Sequence, residues 1–216
     1  MLVPDVPDRF TIAVVPGVTL TRWTGAWAQR QRRIPLAFVA TDASDQVAVL
    51  REGIADVSFV RLPVDRTGLS VIPLYVETPV VVVPKEHPVA LFESVTLADL
   101  AAEDRVSGSL STEDAVELVA AGGGILIVPQ SIARLHARKD VAARPVTDAA
   151  PTSIAIAWLE EHTTPQVEEF VGIVRGRTAA SSRAVPTQKT EKPRAEKPAA
   201  KPRTAQRRQP RRPRGR

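Results

Sequence analysis

Residues 69–100 read LSVIPLYVETPVVVVPKEHPVALFESVTLADL, and the parsing of this stretch decides what the rest of the chain can be. A first apolar run, 71–75, leads through Glu77, Thr78 and Pro79 into four consecutive valines, 80–83, and Pro84 stops the run. A strand with no polar face suits burial on both sides. A polar link containing His87-Pro88 follows. Thr96 is then placed to cap a short helix over 97–100. A buried strand that ends at proline and opens into a polar link is suited to carry the chain from one lobe to another.

Upstream, 10–15 (FTIAVV) reads as a buried strand turned by Pro16-Gly17-Val18-Thr19. Leu20, Trp23 and Trp27 recur at helical spacing, with Arg22, Arg30, Arg32 and Arg33 largely on other faces. A second strand covers 36–40. Ser44 is placed to cap a helix holding Val47 and Leu50 that Gly53 ends, and 57–60 is a third strand. This β-α-β-α-β order predicts a parallel sheet flanked by helices. Right-handed crossovers bring 16–19, 41–44 and 61–63 to one rim. Backbone N–H groups near Thr19 favour a carboxylate or phosphate there, and Arg61 would add a charge-assisted bond. Pro16, Gly17, Val18, Thr19, Arg61 and Leu62 are therefore candidate ligand-binding residues. Thr19 reads equally as an ordinary N-cap, and Arg61 as a solvated loop charge.

Downstream, Ser111 with Asp114 makes a capping-box-like start, and Ala115, Val116, Val119 and Ala120 give the helix an apolar stripe. Gly122-Gly123-Gly124 ends it, 125–128 is a short strand closed by Pro129, and Ile132 and Leu135 continue in a short helix. Residues 152–158 (TSIAIAW) alternate as a strand does. Thr164-Pro165 opens a last helix with Val167, Phe170, Val171 and Val174 on one face. The triple glycine follows a helix and precedes a strand, the reverse of a dinucleotide fingerprint, and lacks the Lys-Ser/Thr of a P-loop.

Two segments carry a resemblance. The hinge order "pL-x-E-x-hydrophobic strand-P-x-x-HP-(A)-V-x-L-x-DL" and the segment AVELVAAGGGILIVP together resemble the effector-binding domain of LysR-type transcriptional regulators. The resemblance covers about 9–175 and implies a two-lobed α/β fold of the periplasmic-binding-protein type II kind, with two crossover strands. On that pattern, 9–84 and 155–176 form lobe I, 85–154 form lobe II, and 80–83 and 154–158 are the crossovers. It further implies a small-molecule effector in the interlobe cleft, hydroxyls of Ser111 and Thr112 facing that cleft, and Trp23 and Trp27 on a dimer face; from the residues alone the two tryptophans read as core or dimer surface ahead of a ligand platform. The departure is in lobe II. Between "DL" and the next helix the family has several tens of residues, and here only 101–110 intervene. The sequence given opens at the first effector-domain strand with no recognition-helix pattern ahead of it, so direct operator reading in the family's manner is not expected.

The 216 residues carry a formal net charge of +5, and the average hides a split. Residues 177–216 hold 14 Lys+Arg against 2 Asp+Glu, a net +12; the remaining 15 basic and 22 acidic residues give the body −7. The last segment has no aromatics, repeats Lys-Pro at 192, 197 and 201, and reads as disordered. Arg207, Arg208, Arg211, Arg212, Arg214 and Arg216 predict salt-sensitive, non-specific contact with nucleic-acid phosphates. Residues 213–216, PRGR, resemble an AT-hook core.

Without cysteine there is no disulfide or thiolate chemistry. The apolar runs are far short of a membrane span, and the opening MLVPDVPDRF is unlike a secretory signal, which together predict a cytoplasmic protein. His87, His136 and His162 lack ligand spacing, and neither G-x-S-x-G nor a carboxylate couple stands out. No enzyme activity, metal or cofactor is expected. The leading expectation is a stand-alone effector-binding domain acting in transcriptional regulation, as a homodimer or paired with a LysR-type regulator. The alternative is a DNA- or RNA-associated protein whose tail binds nucleic acid and whose body is a dimerisation platform.

Overall fold

The computed structural model describes residues 9–106 and 110–176; the basic-tail expectations lie outside them. Two sheets are built, both within one compact unit. The first has five strands in the order β2-β1-β3-β8-β4: β1 (Phe10–Val14), β2 (Leu36–Ala40), β3 (Val57–Leu62), β4 (Leu69–Glu77) and β8 (Thr152–Leu159). Strands β1, β2 and β3 pair in parallel, and β8 runs antiparallel between β3 and β4.

The period-2 alternation of these strands sorts side chains by size. Phe10, Ile12, Val57, Phe59, Ile154, Ile156 and Trp158 face one side, where α1 (Thr21–Arg30) and α5 (Pro165–Val174) cover them. Ala13, Val60, Ala155 and Ala157 face the other, against the short α2 (Ala48–Arg51). Phe10 stacks on Trp27 with ring centroids 4.8 Å apart, and Phe170 meets Phe10, Trp27 and Phe59. Trp27 is 1% exposed and its indole N–H donates to the Ile34 carbonyl at 2.8 Å. Trp23 stacks on Phe59. Trp27 is thus committed to the core and the half-buried Trp23 packs against it, because the one-sided bulk of β1 and β3 needs aromatic rings to fill the space under α1.

The second sheet has three antiparallel strands, β6-β5-β7: β5 (Pro79–Pro84), β6 (Leu126–Pro129) and β7 (Val141–Pro145). Val81 and Val83 enter a cluster with Val89, Val95, Leu100, Ile125 and Val146, while the buried Val80 and Val82 take the opposite face, where α3 (Thr112–Ala120) and α4 (Gln130–Leu135) contact β5. The four-valine run is double-faced, as its composition requires. Its hydrogen bonds all go to β6 and β7, whereas residues 152–154 pair with β3 and β4. By hydrogen bonding the sheets part at Thr78 and within 146–151, each N-terminal to the lobe limits expected at 84 and 154.

Among the described residues shortly before α3, Arg105 makes a parallel bridge to Ile125, with the Ile125 N–H donating to the Asp104 carbonyl at 2.8 Å and the Val106 N–H to the Ile125 carbonyl at 2.9 Å. Residues 104–106, α3 and β6 form a β-α-β unit whose first strand is reduced to this bridge. Gly124 makes it possible: its φ is +117°, and a Cβ there would lie 2.4 Å from the Asp104 carbonyl oxygen.

Several caps follow the sequence. The Ser111 hydroxyl accepts from the Asp114 N–H at 3.1 Å, and the Thr164 hydroxyl from the Val167 N–H at 3.2 Å. Two differ. Helix α2 starts at Ala48, four residues after Ser44. Residues 97–100 are turns: Thr96 and Asp99 bond each other, and the Leu97 N–H donates to Asp148 Oδ1 at 2.7 Å.

Candidate interlobe site

The two crossover links lie side by side, since Glu77 at the end of β4 pairs in register with Thr152 at the start of β8. Glu77 is 5% exposed and fully engaged. Arg61, near the end of β3, donates from Nε to Glu77 Oε2 at 2.7 Å and from Nη2 to Oε1 at 3.2 Å. Thr152 Oγ1 donates to Oε2 at 3.0 Å, and the Ser131 hydroxyl of α4 donates to Oε1. Each carboxylate oxygen therefore receives two bonds. Burial pushes the Glu77 carboxyl up, but the bonds from Arg61 and Ser131, the Arg61 charge and the bond from Thr152 outweigh it and hold the group below the ordinary carboxylate value.

Arg61 is itself fixed. Its backbone N–H donates to Gln46 Oε1 at 2.7 Å, its carbonyl accepts from Gln46 Nε2 at 3.1 Å, and its Nη2 also donates to the Pro16 carbonyl at 2.9 Å. Gln46 is buried, and its own carbonyl accepts from the Ser58 hydroxyl at 2.8 Å. The 16–17 turn touches the second lobe directly. Gly17 has φ +87°, and a Cβ on it would fall 2.7 Å from Ser131 Oγ and 3.3 Å from Ile132 Cδ1. Glycine is needed both for the turn and for this approach.

Pro16, Gly17 and Arg61 therefore come together, on the rim that the β-α-β order predicts. Val18 packs against the aromatic core and Leu62 against the cluster around α2. Thr19 is exposed and sits one residue before the N-cap of α1, which is Leu20, so it does not cap the helix. The alternative reading of Arg61 as a solvated charge does not hold, its side chain being 13% exposed and ion-paired. Ser111 and Thr112 belong to the first turn of α3, where the Ser111 hydroxyl bonds Asp114. His87 serves its own turn: Nδ1 accepts from the Val89 N–H, and Nε2 lies 3.2 Å from Glu103. Among the described residues no cluster of His, Cys, Asp and Glu is arranged to hold a metal, and no helix is long and apolar enough to cross a membrane.

Sequence reading missed Gln46, Glu77, Ser131 and Thr152 as site residues. Glu77 stands in the hinge motif and Ser131 two residues after the "IVP" of the second, so position along those motifs was the available signal. Nothing in the sequence indicated that they meet.

A family model described as the LysR substrate binding domain matches residues 6–113 and 108–179. Among curated proteins, a probable hydrogen peroxide-inducible genes activator of Mycobacterium avium is 29% identical over 153 residues, covering 58% of this chain and 49% of that protein. The Hca operon transcriptional activator HcaR of Escherichia coli K12 is 26% identical over 204 residues, covering 80% of this chain and 69% of that protein. The chain thus spans about half the length of the first relative and about two thirds of the second. Among solved structures, the BenM effector binding domain with its effector benzoate superposes with a TM-score of 0.67 at 22% identity, covering 82% of this chain and 95% of that one. A hydrogen peroxide-bound mutant of Corynebacterium glutamicum OxyR gives 0.64 at 22% identity, covering 77% and 65%. At these identities the structural matches establish the fold.

Proposed function

The chain belongs to the LysR substrate binding domain family, and from that premise we propose that it senses a small, anionic metabolite between its two sheets and takes part in transcriptional regulation in the cytoplasm. The observation that carries this reading is the direct meeting of both lobes at the crossover, where Pro16, Gly17 and Arg61 of the first face Glu77 and Ser131. A ligand seated there touches both sheets and both links, so it has differential contacts with which to bias their arrangement. The relatives named above are regulators, which favours sensing over catalysis. A thermal-shift screen of organic acids, amino acids and sulfur and nitrogen metabolites tests the reading. A cognate effector raises the melting temperature by mass action, and a screen with no shift overturns sensing.

Self-association is part of the proposal. Strand β2 is an edge of the first sheet, Phe38 on it is 53% exposed, and a groove of about 470 Å³ lined by Ala28, Pro35, Leu36 and Phe38 runs beside α1. An open edge with an exposed aromatic ring favours covering by a second subunit, either a copy of this chain or a LysR-type regulator. Sedimentation of the wild type and Phe38→Asp tests it: a dimer that the substitution dissociates is expected, and a monomeric wild type refutes homodimerisation.

The charge of residues 177–216 favours a second reading, in which the tail binds nucleic acid without sequence preference. Gel shifts with and without 178–216, at two salt concentrations, decide it. Binding that survives removal of the tail excludes this role.

A further inference from the structure

The folded residues carry their charge unevenly. From Arg9 to Thr41 there are five arginines and no Asp or Glu, a net +5, whereas 42–176 hold 10 Lys+Arg against 20 Asp+Glu, a net −10. The basic share falls on one structural unit, β1-α1-β2. Arg22 lies in the first turn of α1 and Arg30 in the last, eight residues and about 12 Å apart along the axis and within a quarter turn of each other around it. Arg32 and Arg33 follow in the turn into β2. The backbone brings Arg9 close to them, since the Phe10 N–H donates to the Pro35 carbonyl at 2.9 Å and Phe10 pairs in register with Leu36. Arg30 is ion-paired with Glu169 at 3.0 Å. Arg9, Arg22, Arg32 and Arg33 are exposed, and among the described residues they make no ion pair. The buried Trp27 fixes α1 on the sheet, so these arginines project from a rigid support.

We propose that this arginine ridge binds the phosphate backbone of duplex DNA without reading its sequence. The proposal deepens the nucleic-acid reading of the tail and rests on it for affinity, because about four phosphate contacts alone hold a duplex weakly at ordinary salt. Ridge and tail act as two linked basic elements on one chain, the second contact following the first at raised effective concentration. The geometry suits a backbone: the span from Arg22 to Arg30 faces about seven phosphate charges at one per roughly 1.7 Å of duplex. A guanidinium matches phosphate oxygens with two parallel N–H bonds. An acidic face of a second copy would also complement the ridge. The whole chain, however, carries +5, so copies repel at long range, whereas a polyanion attracts both basic elements. The acidic remainder of the body repels the duplex and directs it along β1-α1-β2.

The experiment compares two triple variants of the full chain with wild type. One carries Arg9→Gln, Arg22→Gln and Arg33→Gln; Arg32 is left in place because it lines the groove beside Phe38. The other carries Arg66→Gln, Arg105→Gln and Arg134→Gln, which removes the same charge from exposed arginines of the acidic remainder. Binding to a fluorescent mixed-sequence DNA duplex is followed by anisotropy between about 50 and 200 mM sodium chloride. The ridge variant is expected to flatten the slope of log K against log salt by about two to three, with an affinity loss on the order of tenfold greater at the low-salt end. The control variant is expected to keep the wild-type slope. Equal changes in both variants, or an unchanged slope in the ridge variant, overturn the proposal. A ridge variant that alters the sedimentation of the DNA-free chain while leaving the slope alone assigns the arginines to a second copy and overturns it too. If the ridge variant does not fold, Arg22→Gln alone is expected to flatten the slope by about one, and an unchanged slope there overturns the ridge. A slope that falls on removal of 178–216 but ignores the ridge variant leaves the tail reading standing without the ridge. A ridge-dependent slope that ignores removal of the tail does the reverse, and a wild type that binds no DNA overturns both.

Discussion

The first sheet has five strands, with α1 and α5 over one face and α2 over the other; the second has three, with α3 and α4 over one face and turns over the other. The larger sheet is organised by rings: Phe10, Trp23, Trp27, Phe59 and Phe170 interlock, and small alanines on the reverse face let α2 lie close. The smaller sheet is organised by valines and backbone geometry. Among the described residues the Arg105–Ile125 bridge adjoins the start of β6, and a glycine at φ +117° allows that bridge to form. A β-α-β unit can thus have a first strand of one bridge, provided that the backbone approaches tightly enough for the bridge bonds to form. The crossover does not draw on 101–110, because its donors come from β3, β8 and α4 and its acceptor from β4.

The comparison can be broken most forcefully in the aromatic core. Phe170→Ala removes a ring that touches three others and is expected to cost roughly 3–5 kcal/mol in urea unfolding. A loss under 1 kcal/mol would mean that the first lobe is not held by its rings. Gly124→Ala attacks the substitute edge of the second sheet. A left-handed φ and a Cβ inside the Asp104 carbonyl predict a loss of roughly 2 kcal/mol or more, read in the same assay. An unchanged midpoint would show that the Arg105–Ile125 bridge contributes nothing.

Caps offer a matched pair, one in each lobe. Ser111→Ala and Thr164→Ala each remove one side-chain cap and are expected to cost about 1 kcal/mol. Hydrogen exchange then sharpens the contrast: Ser111→Ala should speed exchange in α3 and β6 while leaving β1 and β3 protected. Uniform acceleration would show that the two sheets open together.

The smallest effect is the titration of Glu77. Its folded pKa lies below the unfolded value, so the unfolded chain takes up the proton more readily. The associated stability is complete above the ordinary Glu pKa of about 4.3 and drains away as pH falls through the folded value. The stability gap between wild type and Glu77→Gln should therefore shrink between pH 6 and pH 3. A gap that stays constant would mean that the Arg61–Glu77 charge pair does not contribute through ionisation.

By itself the sequence determined the β-α-β-α-β order of the first lobe, the double-faced burial of 80–83, the caps at Ser111 and Thr164 and the rim on which Pro16, Gly17 and Arg61 meet, because each follows from local periodicity, capping chemistry or crossover handedness. Tertiary structure alone decided that β5 bonds to β6 and β7, since an apolar run is equally at home in either sheet. It also decided that Trp27 fills the core and that Arg61 is already paired. That pairing depends on Glu77, Ser131 and Thr152, which are 16, 70 and 91 positions away from Arg61 in the chain and meet only where the two crossovers pass side by side. Polar contacts of that range leave no periodic trace, because nothing constrains the residues between them.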